Sequence, residues 1–338
     1  MEEGKDSIRP KIICLTPVKN EEWIIEKFLK AASIWADYII LSDQGSTDNT
    51  VKIASKFPKV TIFDNSKLLE YNEKEYRSPL YSETRRIYGG GNLLITLDAD
   101  EFLSPNFDDL EWKTMIEAPV GTRFIFNWYN IQPNLNSYFI MNQYPFAFID
   151  DGTEYDCGII HCSRVPLSKD KPLIKLNSIN VLHFQFVNWE RMELKHMWYR
   201  MYEKIIHPQK NAIRIWREYH YEKNLPIDNV KVFMLPKEYL FGYHKYGIEL
   251  TSVLKLQEKH WDDRMIKYIA ENGWNRFKRV DVDRGYIRKI DREGILKSQK
   301  LEYSFIDRCI MKYLRMTQKN KNNIYIKKID SYIMLFFK

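Results

Sequence analysis

The stretch LLITLDADEF, residues 93–102, decides the reading of this chain. It opens with the composition of a buried strand and closes with three carboxylates, Asp98, Asp100 and Glu101. Charge at the end of an apolar strand needs a reason, because a carboxylate is costly to bury without a partner. In an open α/β sheet the reason is position: ligands bind beyond the carboxyl ends of the strands.

Working outward from that stretch, the first hundred residues alternate in type. KIICLTPV (11–18) reads as a strand. The residues after it place Ile24, Ile25, Phe28, Leu29, Ala32 and Trp35 on one helical face. YIILS (38–42) reads as a second strand, and GSTDNT (45–50) offers N-caps for a helix over VKIASKF (51–57). KVTIF (59–63) is a third strand, a helix is expected over about 79–88, and Gly89-Gly90-Gly91 breaks it before NLLITL (92–97). Apolar strands alternating with helices predict an α/β fold with a parallel sheet covered on both faces. That places Asp43, Asp98, Asp100 and Glu101 at strand carboxyl ends. From about 122 to 186 shorter β-like runs predict a mixed or antiparallel second half of the same domain, and 188–206 reads as a long helix. The remainder is expected to be mainly helical.

Composition narrows the function classes. In 338 residues, 44% are hydrophobic and 14% aromatic, which argues against disorder. The net charge of +7 permits an anionic partner, but the first three hundred residues show no basic stripe, so no nucleic-acid partner is expected. Cys14, Cys157, Cys162 and Cys309 form no CxxC pair and are read as reduced thiols of a cytosolic compartment. The N-terminal MEEGKDSIRPK has no apolar signal core, and no run approaches a membrane span.

Two Asp residues one position apart can converge on one divalent cation, and Mg²⁺ or Mn²⁺ prefers such oxygen ligands completed by water and phosphate. The alternative is an acidic loop that caps a helix near Ser104-Pro105. The motifs LTPVKNEE (15–22), LSDQGSTDNT (41–50) and LDADEF (97–102) stand in this order, and with them residues 11–105 resemble a family 2 glycosyltransferase of GT-A fold.

The resemblance implies a nucleotide-sugar donor, a UDP-sugar by default, a divalent Mn²⁺ or Mg²⁺, and inversion at the anomeric carbon. Carried onto this chain, Thr16, Pro17, Val18 and Glu21 would bind the nucleotide and Asp43 would lie by the base or ribose. Asp98 would serve ribose and metal, and Asp100 the metal. Gln44 stands where many members carry a second Asp, which leaves the base preference open. His183 resembles the downstream metal-site histidine, with a core residue as the alternative. Lys195 and Arg191 would neutralise diphosphate, and Arg85 and Arg86 would meet donor phosphate, each with a helix-surface role as the alternative. Inversion needs a carboxylate base. FIDDGTEYD (148–156) supplies Asp151 first and Asp150 next, with Glu154 and Asp156 nearby, and a polar turn around Gly152 is the alternative. His161 and Arg164 lie in a segment that resembles a turn of relatives, where they would position acceptor or phosphate, with a purely structural role as the alternative.

The expected layout is a GT-A domain, a Rossmann-like mixed sheet, over 1–235, and a helical extension over 236–338. Residues 301–338 carry 8 Lys and Arg against 3 Asp and Glu, mixed with apolar residues. Such a tail suits an anionic membrane surface, or docks on the domain as a helix. The expected function is transfer to a saccharide or lipid-linked acceptor in surface polysaccharide or lipopolysaccharide assembly, cytoplasmic or peripheral on the inner membrane face. A nucleotidyltransferase is the enzymatic rival, although LTPVKNEE lacks the Gly-rich loop such enzymes use. A non-catalytic sugar-nucleotide or glycan-binding module and an electrostatic binder acting through the tail are the other two.

Overall fold

The computed structural model describes residues 9–67, 71–220, 230–252, 261–297 and 303–336. The chain opens with β1 (Ile12–Val18), α1 (Ile25–Trp35), β2 (Tyr38–Asp43), α2 (Thr50–Ala54), β3 (Val60–Asp64), α3 (Glu73–Tyr88) and β4 (Leu93–Thr96). β1 pairs in parallel with β2 and β4, and β2 with β3. These are the four expected strands. α1 buries Ile25, Phe28, Leu29, Ala32 and Trp35, the face its sequence period marked, and turns the Glu26–Lys30 ion pair outward.

α3 is longer than the expected 79–88. The Asn72 side chain accepts from the Lys74 and Glu75 amides and starts the helix a turn and a half early. Pro79 inside the helix removes the amide that would bond the Glu75 carbonyl, and the Asn65 side chain donates to that oxygen instead, at 3.3 Å.

Next come β5 (Glu101–Leu103), α4 (Leu110–Ile116), β6 (Arg123–Ile131), β7 (Ser137–Ile149) and β8 (Leu173–His183). The sheet runs in the order β3-β2-β1-β4-β7-β6-β8-β5. β7 is antiparallel to β4 and β6, β8 is parallel to β6, and β5 is antiparallel to β8. The fold is therefore α/β with a parallel N-terminal half and a mixed second half. Its core lies on both sheet faces, with Ile13, Leu15, Ile40, Leu94 and Phe148 packed against Leu80 and Tyr81 of α3.

The remaining elements are α5 (Trp189–Ile206), α6 (Ala212–Tyr219), β9 (Val232–Met234), α7 (Lys237–Phe241), α8 (Asp262–Asn272), α9 (Arg284–Ile290), α10 (Phe305–Thr317) and α11 (Ile324–Phe336). The chain forms two compact units. One takes in Met1–Phe184 and Phe233–Leu256, the other Gln185–Val232 and Gln257–Lys338. This division differs from the expected boundary at 235. α5 is held by its own unit, since its buried Arg200 donates to the carbonyls of Tyr219, Val280 and Asp281. Residues after 232 rejoin the first unit through β9, which pairs with β7.

One expectation about the cysteines is corrected. Cys157 and Cys162 are joined in a disulfide, while Cys14 and Cys309 are thiols. The intervening loop turns back through His161, at φ 62°, and brings the two Cα atoms within 5.5 Å. A spacing of five residues gives no such signal in the sequence. Among the described residues, no helix is long and apolar enough to cross a membrane.

In the second unit, Ser304 and Asp307 form a reciprocal capping box at the start of α10. Asp307 also takes Lys278 at 2.8 Å and Arg279 at 2.7 Å. Burial alone would raise this carboxyl, but the bonds from Lys278, Ser304 and Arg279 outweigh it and hold it well below the usual range. A lowered folded pKa adds stability above the unfolded value, and that stability is lost as pH falls toward the folded one. Asp307→Asn is expected to cost about 2 kcal/mol at pH 7 and to flatten the acid limb of stability below about pH 4. Urea unfolding of both proteins across that range measures it, and parallel curves would remove Asp307 from the account.

Candidate active site

β4 ends at Thr96, and residues 97–100 turn the chain into β5. The turn is closed twice: the Glu101 amide donates to the Asp98 carbonyl at 3.0 Å, and the Asp98 amide donates to Glu101 Oε2 at 2.7 Å. Glu101 is fully buried and pairs with Arg164 at 2.5 Å. Burial pushes its carboxyl up to about 8; Arg164 opposes the rise, while Asp98 and Asp100 add to it. This glutamate holds the turn in shape. Asp98 is more open, with its side chain 32% exposed. It is gripped by two guanidinium groups, Arg77 at 2.8 Å and Arg164 at 2.7 Å. Arg77 is buried, and its Nη1 has no hydrogen-bond partner among the described residues.

Asp100 faces His183. The Phe184 amide donates to the Asp100 carbonyl at 2.8 Å, and β8 sets His183 opposite Glu101. His183 Nε2 then lies 3.8 Å from Asp100 Oδ2. The imidazole stacks on Trp128 at 4.6 Å, and its Nδ1 lies 2.8 Å from the Asn130 amide oxygen. An amide oxygen only accepts, so Nδ1 carries a proton, and in the neutral imidazole Nε2 presents its lone pair toward the carboxylate. Two electron-pair donors facing each other across 3.8 Å fit a shared cation better than each other. Among the described residues no three His, Cys, Asp or Glu side chains converge as a full metal cage. A carboxylate and an imidazole suit an open Mn²⁺ or Mg²⁺ site whose other positions belong to phosphate and water.

The two upstream motifs form one structure. The Asn20 amide donates to Ser46, the Thr47 amide to Asn20 Oδ1, the Glu21 amide to Thr50, and the Glu22 amide to Asp48. Asn20 takes φ 53° to reach this geometry. Asp43, buried at the end of β2, accepts from the Gly45 and Ser46 amides at 3.2 Å. The conformations of the loops after β1 and β2 are thus set jointly beside the carboxyl ends of both strands.

The expected residues distribute unevenly. Asp100 faces His183, and Asp98, two residues earlier, is held by Arg77 and Arg164; among the described residues the three do not close as one metal site. Asp43 and the partly exposed Pro17 lie at strand ends, in register as Pro17↔Ser42 and Val18↔Asp43. Thr16 and Val18 are interior, and Thr16 lies 3.6 Å from Cys14 Sγ. Glu21 Oε2 accepts from the Trp23 indole. Arg86 is 68% exposed and pairs with Glu83 on its own helix. Lys195 and the buried Arg191 belong to the second unit, where Lys195 donates to Gln185 and Arg191 lies over Trp261.

Asp150 and Asp151 are not brought to this site. β7 runs antiparallel to β4, so Ile149 pairs with Leu93 and the DDG turn falls at the amino end of β4. Five residues of strand separate that end from Asp98, roughly 16 Å at 3.3 Å per residue. Asp150 is buried against Arg85 at 2.7 Å. Asp151 pairs with Arg123 at 3.2 Å. Burial would raise the Asp151 carboxyl, but Thr153 and Arg123 outweigh it and lower it, which makes a weaker base. Asp156 pairs with Lys74 near the surface.

Arg77, Asn130 and Trp128 were not among the expected site residues. Arg77 had a signal: it lies on the same helical face as Tyr76, Leu80, Tyr81 and Thr84, all buried, so a charge there needs a partner. Asn130 and Trp128 had none, since only the pairing of β6 with β8 sets them against His183.

No protein-family model matches the chain, and no curated protein matches it by sequence. Solved structures match weakly. Glucosyl-3-phosphoglycerate synthase from Mycobacterium tuberculosis, in complex with Mg²⁺ and uridine-diphosphate, is 18% identical over 36% of this chain and 44% of its own, with a TM-score of 0.27. 4-Diphosphocytidyl-2C-methyl-D-erythritol synthase is 14% identical over 36% and 61%, with a TM-score of 0.29. Mannose-1-phosphate geranyltransferase from Thermus thermophilus is 11% identical over 40% and 50%, with a TM-score of 0.26. Each match spans less than two thirds of the other chain.

Proposed function

We propose that this chain is a metal-dependent glycosyltransferase that moves a sugar from a nucleotide-sugar donor to a hydroxyl of a saccharide or lipid-linked acceptor. The observation that carries this reading is the turn after β4, where Asp100 faces His183 and Asp98 is held by Arg77 and Arg164. Asp100 and His183 would hold Mn²⁺ or Mg²⁺, which when bound stabilises negative charge on a departing diphosphate. Arg77 and Arg164 would fix the Asp98 carboxylate in place to accept from a ribose hydroxyl. Asp43 and the stapled loops would flank the nucleotide, with UDP as the first base to try.

The proposed chemistry is a single displacement with inversion. The acceptor oxygen bonds the anomeric carbon as the carbon–oxygen bond to diphosphate breaks, and a base takes the hydroxyl proton. We assign that base outside the DDG turn. Asp151→Asn is accordingly expected to keep transfer within about threefold of wild type, because a group so far from the reacting atoms takes no proton from them. Loss of transfer with donor binding intact would restore Asp151 as the base. The proposed setting is assembly of surface polysaccharide or lipopolysaccharide.

Thermal stabilisation by UDP-, GDP-, dTDP- and CMP-sugars, each with Mn²⁺ and then with EDTA, tests the donor assignment, since a ligand of the native state raises its apparent stability. A metal-dependent shift with one nucleotide class supports it. No shift with any donor, in protein shown to be folded, would favour a different anionic ligand.

A further inference from the structure

The basic tail offers two uses for its apolar residues, docking and surface binding, and the structure divides them between two faces of one helix. On α11, Ile333 and Met334 pack against Ile213, Trp216, Ile310 and Leu314. Asp330, also on that inner face, pairs with Arg217 at 2.9 Å and accepts from the Tyr313 hydroxyl. That face docks the helix on its own unit. The opposite face repeats the apolar pattern toward solvent. Ile324, Tyr325, Ile329 and Leu335 are all exposed, Tyr325 and Leu335 by 71% and 72%. At 100° per residue these positions span an arc of about 140°, with Lys328 inside it. A helix that needed only to dock would be polar there.

The charges are sorted in the same way. Between 303 and 336 the only carboxylates are Asp307 and Asp330, and both are buried against cations of other elements. Arg308, Lys312, Lys327 and Lys328 are exposed. The solvent side of α10 and α11 therefore presents apolar residues and cations and no carboxylate.

We propose that the outer face of α11, with the exposed cations of α10 and α11, docks on an anionic lipid surface. Such a surface meets both features at once, taking apolar side chains below the headgroups and balancing Lys and Arg with headgroup charge. A second copy of the same face would set like charges against each other, and the unit's own core is already served by the inner face. The inference stands independently of the donor site.

The test is co-sedimentation of the full chain with vesicles of phosphatidylglycerol and phosphatidylcholine, against vesicles of phosphatidylcholine alone. Wild type is expected to bind the anionic vesicles at least about tenfold better and to lose that preference as salt rises from about 0.1 to 0.5 M, where screening shortens to a few ångströms. Ile329→Ser with Leu335→Ser, and separately Lys327→Glu with Lys328→Glu, are each expected to lower binding about tenfold. All four positions are exposed, so circular dichroism and urea unfolding should match wild type. Wild-type indifference to anionic lipid, or variants that bind as well as wild type, would overturn the proposal. So would wild-type self-association that the serine variant abolishes, without vesicle binding, which would assign the face to a second copy.

Discussion

Asp100→Asn is expected to abolish metal-dependent donor binding and to slow transfer by at least a hundredfold, since a cation at a departing diphosphate supplies several kcal/mol and each 1.36 kcal/mol is about tenfold in rate. The substitution keeps the size of the side chain. What it removes is the negative charge that, with His183 Nε2 3.8 Å away, lines the proposed cation site. Stability should stay near wild type, because Asp100 makes no ion pair with Lys or Arg among the described residues and a neutral amide still suits the polar turn. Thermal shift with Mn²⁺ and the donor panel reads binding, and steady-state transfer reads the rate. His183→Gln, removing the other proposed ligand, should behave in the same direction. A variant at Asp100 that retains Mn²⁺-dependent stabilisation by donor would displace the metal from this turn.

The second large effect is on folding. Arg164→Met removes the cation from fully buried Glu101 and one of the two guanidinium groups from Asp98. Breaking a buried pair from one side costs up to about 3–5 kcal/mol, divided here between Asp98, left with Arg77 alone, and Glu101, whose carboxyl, already raised to about 8 by burial, must take up a proton to stay buried. The melting temperature of the first unit is then expected to fall by roughly 10 °C, taking 2–4 °C per kcal/mol. The double variant Arg164→Met with Glu101→Gln is expected to recover more than half of that loss, since the amide no longer needs a cation. Urea unfolding of the four proteins in a double-mutant cycle gives the coupling directly. Additive effects would mean that Arg164 acts through its packing over Phe146, 5.3 Å from the ring, and not through charge.

Of the site, the carboxylate-bearing strand end was legible. The apolar run 93–97 and the charges after it belong to one short segment, and the position of Asp98 and Asp100 follows from local pattern plus the rule that parallel strands bring their carboxyl ends to one edge. The pairing of GSTD with KNEE was half legible: both motifs lie at strand ends, but that Asn20 bonds Ser46 and Thr47 needed coordinates. His183 lies further down the chain and was legible only by resemblance. The DDG turn misled for a physical reason. An acidic turn after an apolar strand looks alike at either end of a sheet, and only the direction of β7 says which end it occupies.

By itself the sequence determined the α/β class, the four parallel strands, the inner face of α1 and the edge where Asp43, Asp98 and Asp100 stand. Those features follow from periodicity and turn chemistry within some twenty residues, where each local choice agrees with the next. Tertiary structure alone decided that Arg77 and Arg164 share Asp98, that Asn130 and Trp128 orient His183, and that Asp151 lies at the far end of β4. It also decided that the apolar residues of α11 serve two faces. These depend on antiparallel returns and strand register between segments dozens of residues apart, and a register shift of one residue would send each side chain to the other face of the sheet.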